Sequence, residues 1–173
     1  MKFKNFIFVG MLITSSVFAG AGFMDIGYAN VSSDTVETQN GVNLNFGAKF
    51  GESFKNRIGI EYVYVKNDND ISGMGDIYYS LGYEVLKDLS IGVNVGFGFE
   101  DVGTIRSGSS STDIIATGLT YGATAVYELS NNLELVAEYK KYDLSAEVFD
   151  QTIDYNRDVI TVSIGFCFSK DKR

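Results

Sequence analysis

The sequence predicts an all-β protein, an eight-stranded antiparallel transmembrane up-and-down β-barrel. Three observations carry that expectation: apolar residues alternate with polar or small ones in eight successive segments, the connections between segments alternate in length, and the chain opens with an export leader. No apolar run beyond residue 20 is long enough for a spanning helix, so a membrane crossing has to be made by strands.

The leader is read over residues 1–19, with the barrel domain over 20–173. Lys2 and Lys4 precede the apolar stretches Phe6–Val9 and Met11–Ile13, and the small-residue exit Val17-Phe18-Ala19 follows. This layout is that of a secretory signal peptide cleaved after Ala19, and its apolar part falls short of the roughly 18 residues that a helical anchor needs. Formal net charge is −8 over the whole chain, and loss of the two leader lysines makes the remainder more acidic. A nucleic-acid partner is therefore not expected, because phosphate neutralisation needs clustered Lys and Arg. The single Cys167 cannot form an internal disulfide, and it reads as a small wall residue between Phe166 and Phe168.

The first strand shows Met24, Ile26 and Tyr28 on one face, and the second Val42, Leu44, Phe46, Ala48 and Phe50. Strand three sets Ile58, Ile60, Tyr62 and Tyr64 against Gly59, Glu61, Val63 and Val65. Strand four sets Ile77, Tyr79, Leu81 and Tyr83 against Tyr78, Ser80, Gly82 and Glu84. Strand five alternates most cleanly: Leu89, Ile91, Val93, Val95, Phe97 and Phe99 interleave with Ser90, Gly92, Asn94, Gly96, Gly98 and Glu100. Ile115, Leu119, Tyr121, Ala123, Ala125 and Tyr127 mark strand six, and Leu133, Leu135, Ala137 and Tyr139 strand seven. The last strand has Ile160, Val162, Ile164, Phe166 and Phe168 opposite Thr161, Ser163, Gly165 and Cys167. Period two is the signature of strands with two unlike faces.

Three connections are short, at 51–56, 86–88 and 130–132. Four are longer and polar, at 32–40, 66–74, 101–113 and 143–157. Short periplasmic turns and longer extracellular loops are the rhythm of an outer-membrane barrel with both chain ends in the periplasm.

Alternation alone also fits a soluble periplasmic ligand-binding barrel with its apolar faces turned inward. The polar face argues for the membrane: it carries Asp25, Asn43, Asn45 and Asn94 with the charged Lys49, Arg57, Glu61, Asp76, Glu84, Glu128, Glu134, Glu138 and Lys140, among many glycines. Mixed charge and small side chains suit the filled lumen of a narrow barrel. Tyr28, Tyr64, Phe99 and Tyr139 fall at one end of their strands and Phe50, Tyr83, Tyr127 and Phe168 at the other, as two aromatic girdles would.

These eight segments, the loop rhythm and the closing stretch Val162-Ser163-Ile164-Gly165-Phe166-Cys167-Phe168 resemble the small outer-membrane barrels of the OmpA transmembrane domain, OmpX–Ail and opacity-protein type. The resemblance covers essentially all of 20–173. It implies a strand at Ile164, Phe166 and Phe168 read by the barrel assembly machinery, although Ser169–Arg173 here follow the last aromatic. Partners implied are outer-membrane lipid and lipopolysaccharide, with a monomeric barrel favoured.

The chain contains no histidine, which removes the usual general base and the commonest metal ligand. No enzyme and no cofactor are expected. Asp68-Asn69-Asp70-Ile71-Ser72-Gly73 resembles the start of a calcium loop, but the place of the bidentate Glu is taken by Tyr79. Flexible polar loops, including the one with Phe149 and Tyr155, suit binding to a cell-surface partner. The function expected is thus a structural or surface-interaction outer-membrane barrel with four polar extracellular loops. A small cation-preferring or solute-conducting channel is the alternative, because inward acidic residues outnumber basic ones.

Overall fold

A computed structural model describes residues 21–33, 37–51, 54–66, 71–107, 110–149 and 151–168. The eight strands are β1 (Ala21–Ser32), β2 (Gln39–Phe50), β3 (Phe54–Lys66), β4 (Ile71–Leu86), β5 (Leu89–Ser107), β6 (Ser110–Ser130), β7 (Leu133–Val148) and β8 (Gln151–Phe168). They pair in chain order, antiparallel throughout, and β8 closes on β1, so the sheet has no lateral edge around its ring. Closure is what lets strands satisfy their backbone groups away from water.

The register fixes the barrel's girth and tilt. Following paired residues around the ring leads from Asp25 through Asn45, Glu61, Asp76, Gly98, Gly118 and Leu144 to Tyr155 on β8, whereas Asp25 itself faces Gly165, ten residues further along that strand. A stagger of that size over eight strands requires strong tilt, in the roughly 35–45° range of closed barrels, and leaves an interior just wide enough for side chains.

Alternation assigns the faces as expected. Ile26, Tyr28, Val42, Ile77, Leu81, Ile91, Val93, Val95, Phe97, Leu119, Ile160, Val162 and Ile164 stand exposed on the outside. Asp25, Asn43, Asn45, Arg57, Glu61, Asp76, Asn94, Glu138 and Lys140 are buried inside. An apolar exterior around an interior that holds the buried charges is the inverse of a water-soluble barrel, and far exceeds the apolar patch a soluble monomer shows. The reading with apolar faces turned inward does not hold.

Lengths differ from the sequence reading at one end of the barrel. The segments 101–113 and 143–157, expected as loops, are mostly paired strand: β5 and β6 stay in register to Ser107↔Ser110, and β7 and β8 to Val148↔Gln151. The segment 66–74 is shortened likewise, since Lys66 pairs with Ile71. The cause is visible in β7, where inward Tyr142, Leu144 and Ala146 still alternate with outward Asp143, Ser145 and Glu147. A polar outer face hides the period from a hydrophobic pattern search, but backbone pairing continues. The ends carrying Ala21 and Phe168 define the terminal end of the barrel; the tall hairpins rise at the opposite, distal end.

At the terminal end the connections are tight. Lys87 and Asp88 link β4 to β5, with Asp88 in the left-handed region at φ 66°. Asn131 and Asn132 link β6 to β7, and the Asn132 backbone carbonyl and side-chain amide both tie to Cys167, at 2.9 Å each. The turn between β6 and β7 is thereby fastened to the last strand.

Candidate functional site: the lumen and its two mouths

The lumen is built by the inward residues of all eight strands, and it is layered. At the terminal mouth, Lys55 bridges Glu84 at 3.6 Å and Glu128 at 3.7 Å, with all three side chains partly hydrated. Such exposed pairs add little stability. Lys55 and Glu128, together with Lys49, Arg57 and Ser80, line a cavity of about 290 Å³ open at that end.

Deeper in lies the first buried ion cluster. Arg57 Nη2 donates to Asp25 Oδ2 at 2.7 Å and stands 3.2 Å from Glu134 Oε1, and its guanidinium lies 4.0 Å from the centre of the Phe23 ring. Lys49 pairs with the other oxygen of Glu134 and donates to Cys167 Sγ at 3.1 Å. Asn45 Nδ2 donates to Asp25 Oδ2 at 3.2 Å, and the Tyr78 hydroxyl is held by the same asparagine at 2.8 Å. Cys167 is thus a wall residue beside a lysine, as its flanking phenylalanines suggest.

The second cluster centres on Lys140. Its ammonium pairs with Glu61, with Glu138 at 2.8 Å and with Asp76 at 3.0 Å, and stands 4.4 Å from the centre of the Tyr78 ring. Thr120 Oγ1 donates to Asp76 Oδ2 at 2.7 Å. A lysine this deep is tolerated because partners from three strands meet it, and each would be costly to bury alone. Of the charged residues expected in the lumen, Lys49, Arg57 and Glu134 therefore share one cluster and Lys140, Glu61, Asp76 and Glu138 the other. Glu84 and Glu128 belong to the mouth.

Beyond Lys140 the interior changes character. Ala29, Val31, Val63, Val65, Met74, Ala116, Tyr142, Leu144, Ala146 and Val159 form a continuous apolar plug, with Val102, Ile114 and Tyr155 against it. Paired charges occupy the terminal half of the lumen. In the distal half, hydrophobic packing fills the same space.

Above the plug, the distal mouth is crossed by Arg157, whose Nε and Nη2 both donate to Glu100 Oε1, at 3.2 and 3.0 Å. Glu100 belongs to the polar face of β5, but its partner lies in a segment the sequence presents as loop.

Polar anchors mark the boundaries of the apolar exterior. At the distal side the Tyr28 hydroxyl donates to Asn40, and that of Tyr139 to Asp158 at 2.6 Å. At the terminal side Tyr79 donates to Asn56 at 2.5 Å, and Phe54 lies against Tyr83 with ring centres 6.0 Å apart. Tyrosines whose rings sit in an apolar layer and whose hydroxyls reach polar partners are interfacial anchors. Tyr79, read from sequence as standing where a calcium ligand would be, belongs to this girdle. Asp68, Asn69 and Asp70 lie outside the described residues. No group of acidic or cysteine side chains suited to a metal occurs among the described residues.

The closing strand shows Ile164, Phe166 and Phe168 outward, next to Ile26, Met24 and Gly22 of β1. That pairing joins the two ends of the chain.

Comparison with known proteins gives the same architecture. The attachment invasion locus protein Ail of Yersinia pestis superposes with a TM-score of 0.61 at 17% identity, covering 87% of this chain and all of that one. Neisserial surface protein A gives 0.59 at 14% identity, over 87% of this chain and 96% of that one. The outer membrane protein OprG of Pseudomonas aeruginosa gives 0.54 at 13%, over 88% and 97%. At these identities the likeness concerns the fold. No curated protein sequence matches the chain. The family described as outer membrane protein beta-barrel domain matches residues 14–168, and to that family, of closed barrels in the bacterial outer membrane, this chain belongs.

Proposed function

We propose that this protein is a structural and surface-interaction barrel, exported by cleavage after Ala19 and set in the membrane with its terminal end in the periplasm and its tall hairpins outside. The observation that carries this reading is the plug. Tyr142 and Leu144 are essentially buried between the two mouths and pack into the apolar cluster of the distal half, which supports a sealed lumen. A protein that fills its lumen and lengthens its distal hairpins invests in a rigid platform.

Ail, by its name an attachment protein, supports a binding role for the distal end, and one of its structures holds the heparin analogue sucrose octasulfate. Charge separates this chain from a sulfated ligand. The outward face of the β7–β8 hairpin bears Asp143, Glu147 and Asp154, all exposed, so its partner is neutral or basic. Lipid and lipopolysaccharide surround the girdled exterior, the closing strand with Phe166 and Phe168 is the part offered to the assembly machinery, and the barrel acts as a monomer.

Shortening the β7–β8 hairpin by removing 146–153 tests the binding role in cells that display the protein. Loss of attachment with heat-modifiable folding preserved is the expected result; undiminished attachment by the shortened barrel overturns the reading. N-terminal sequencing of the membrane-extracted protein should begin at Gly20.

A further inference from the structure

The distal mouth contains a cavity of about 190 Å³ that none of the packing above requires. Its floor is the top of the plug, Val31, Met74 and Val102, with Tyr155 at its side. Its polar wall is Glu100 with Arg157. The Glu100 side chain is 6% exposed, and Arg157 occupies Oε1 alone. Oε2 lies fully buried with no hydrogen-bond partner among the described residues. A buried carboxylate oxygen left without a donor is costly, so a place that keeps one is poised to receive a donor from a ligand or solvent. Glu37 and Asp101 add negative charge to the same lining, against the single guanidinium.

The strand is irregular directly beyond Glu100. A register shift between Asp101 and Gly103 sits directly after Glu100, with Gly103 at φ 128° and its amide donating to Asp101 Oδ1 at 3.2 Å. Bulges of this sort redirect neighbouring side chains at functional rims.

We infer that the distal mouth is a binding site for a small organic cation, an alkyl or aralkyl ammonium whose N–H group donates to Glu100 Oε2 while its apolar part rests on Met74, Val31 and Val102. Size and chemistry both select it. The volume corresponds to about six water molecules at ~30 Å³ each, which suits a ligand of a few heavy atoms. A bare divalent ion fits poorly, because the acidic groups of the described residues do not converge as a metal set and the floor is apolar. An anion would meet the Glu100 carboxylate.

That this mouth faces the cell exterior rests on the orientation proposed above, but binding by purified protein does not, so the two readings fail separately. The test uses the full-length barrel in lipid nanodiscs, titrated with butylammonium and followed by the amide resonances of Glu100, Val102 and Met74. Butanol serves as the neutral isostere and magnesium as the inorganic cation. Butylammonium should produce saturable shifts at these amides that butanol and magnesium do not. Glu100→Gln should weaken binding at least tenfold, and Arg157→Gln, which releases Oε1 as a second acceptor, should tighten it severalfold. Glu84→Gln at the opposite mouth should leave it unchanged. Absence of saturable shifts in the folded wild-type barrel, an equal response to butanol, or equal weakening by Glu84→Gln each overturns the inference.

Discussion

Arg57 and Asp25 meet at 2.7 Å from strands that are not neighbours, β3 and β1, and both are buried in the terminal half of the lumen. Neither side chain could be left alone there. Arg57 also reaches Glu134, so its removal leaves Glu134 with Lys49 alone and Asp25 with Asn45 as its one donor among the described residues. Arg57→Met should therefore cost about 3–5 kcal/mol, the penalty of breaking a buried pair. Lys49→Met should cost less than half of that, because Glu134 retains Arg57 and the lysine is already partly hydrated. Urea unfolding in lipid vesicles, read by gel mobility without boiling, checks the order; equal losses would contradict it.

Lys140 poses the complementary case of one cation among Glu61, Asp76 and Glu138. Lys140→Met alone should be among the most damaging single changes, abolishing the heat-modifiable form or costing more than about 3 kcal/mol. Adding Glu61→Gln and Asp76→Asn to the same variant should restore folding to a substantial degree, since two of the three carboxylates that needed the ammonium are then neutral and Glu138 alone stays charged. A triple variant no better than the single one would contradict this charge account.

The membrane-facing assignment gives a graded prediction across the β4–β5 hairpin. Val93→Arg places a charge on the outward face in the middle of the apolar belt and should cost about 2–4 kcal/mol, whereas Leu86→Arg, next to the terminal turn, should cost about 0–1 kcal/mol. Asn94→Ala, one residue along and inward, should cost little or nothing, because both polar atoms of Asn94 are buried without partners among the described residues. The contrast between positions 93 and 94 in the same unfolding assay reads the inside–outside alternation directly.

How far the sequence discloses this molecule follows from what alternation can encode. In β5, apolar and small residues strictly exchange faces, and the structure reproduces every one of those assignments. Ring order and the β8–β1 closure follow from an even number of strands with short turns. Alternation cannot say which charges meet, because the ten-residue stagger decides that Lys140 on β7 stands level with Glu61 on β3. Nor does it disclose the plug. Val63 and Val65 lie inward by parity, but beside outward Tyr62 and Tyr64 they read as a plain apolar run, and their partners Tyr142, Leu144 and Ala146 come from a stretch whose other face is acidic. Arg157 is hidden for the same reason: a cation amid Asp154, Asn156 and Asp158 reads as surface until β8 is known to extend that far.

The plug yields the prediction that best separates a sealed platform from a channel. Tyr142 packs where β5 has Gly98: a Cβ built there would come within 3.0 Å of the tyrosine ring and 3.1 Å of Leu144. The glycine thus admits the plug, and Gly98→Val should strain it by about 1–3 kcal/mol while leaving the lumen closed. Tyr142→Ala combined with Leu144→Ala should do the opposite, emptying the centre of the distal half at about 2–5 kcal/mol for each large side chain lost. What remains on the axis is then the buried ion network and the acidic distal mouth. In planar bilayers the wild-type barrel and Gly98→Val should give no conductance steps, and the double variant should give small, cation-selective ones. Steps from the wild type of the same size as from the double variant would show that the plug opens on its own, and the channel reading would replace the platform.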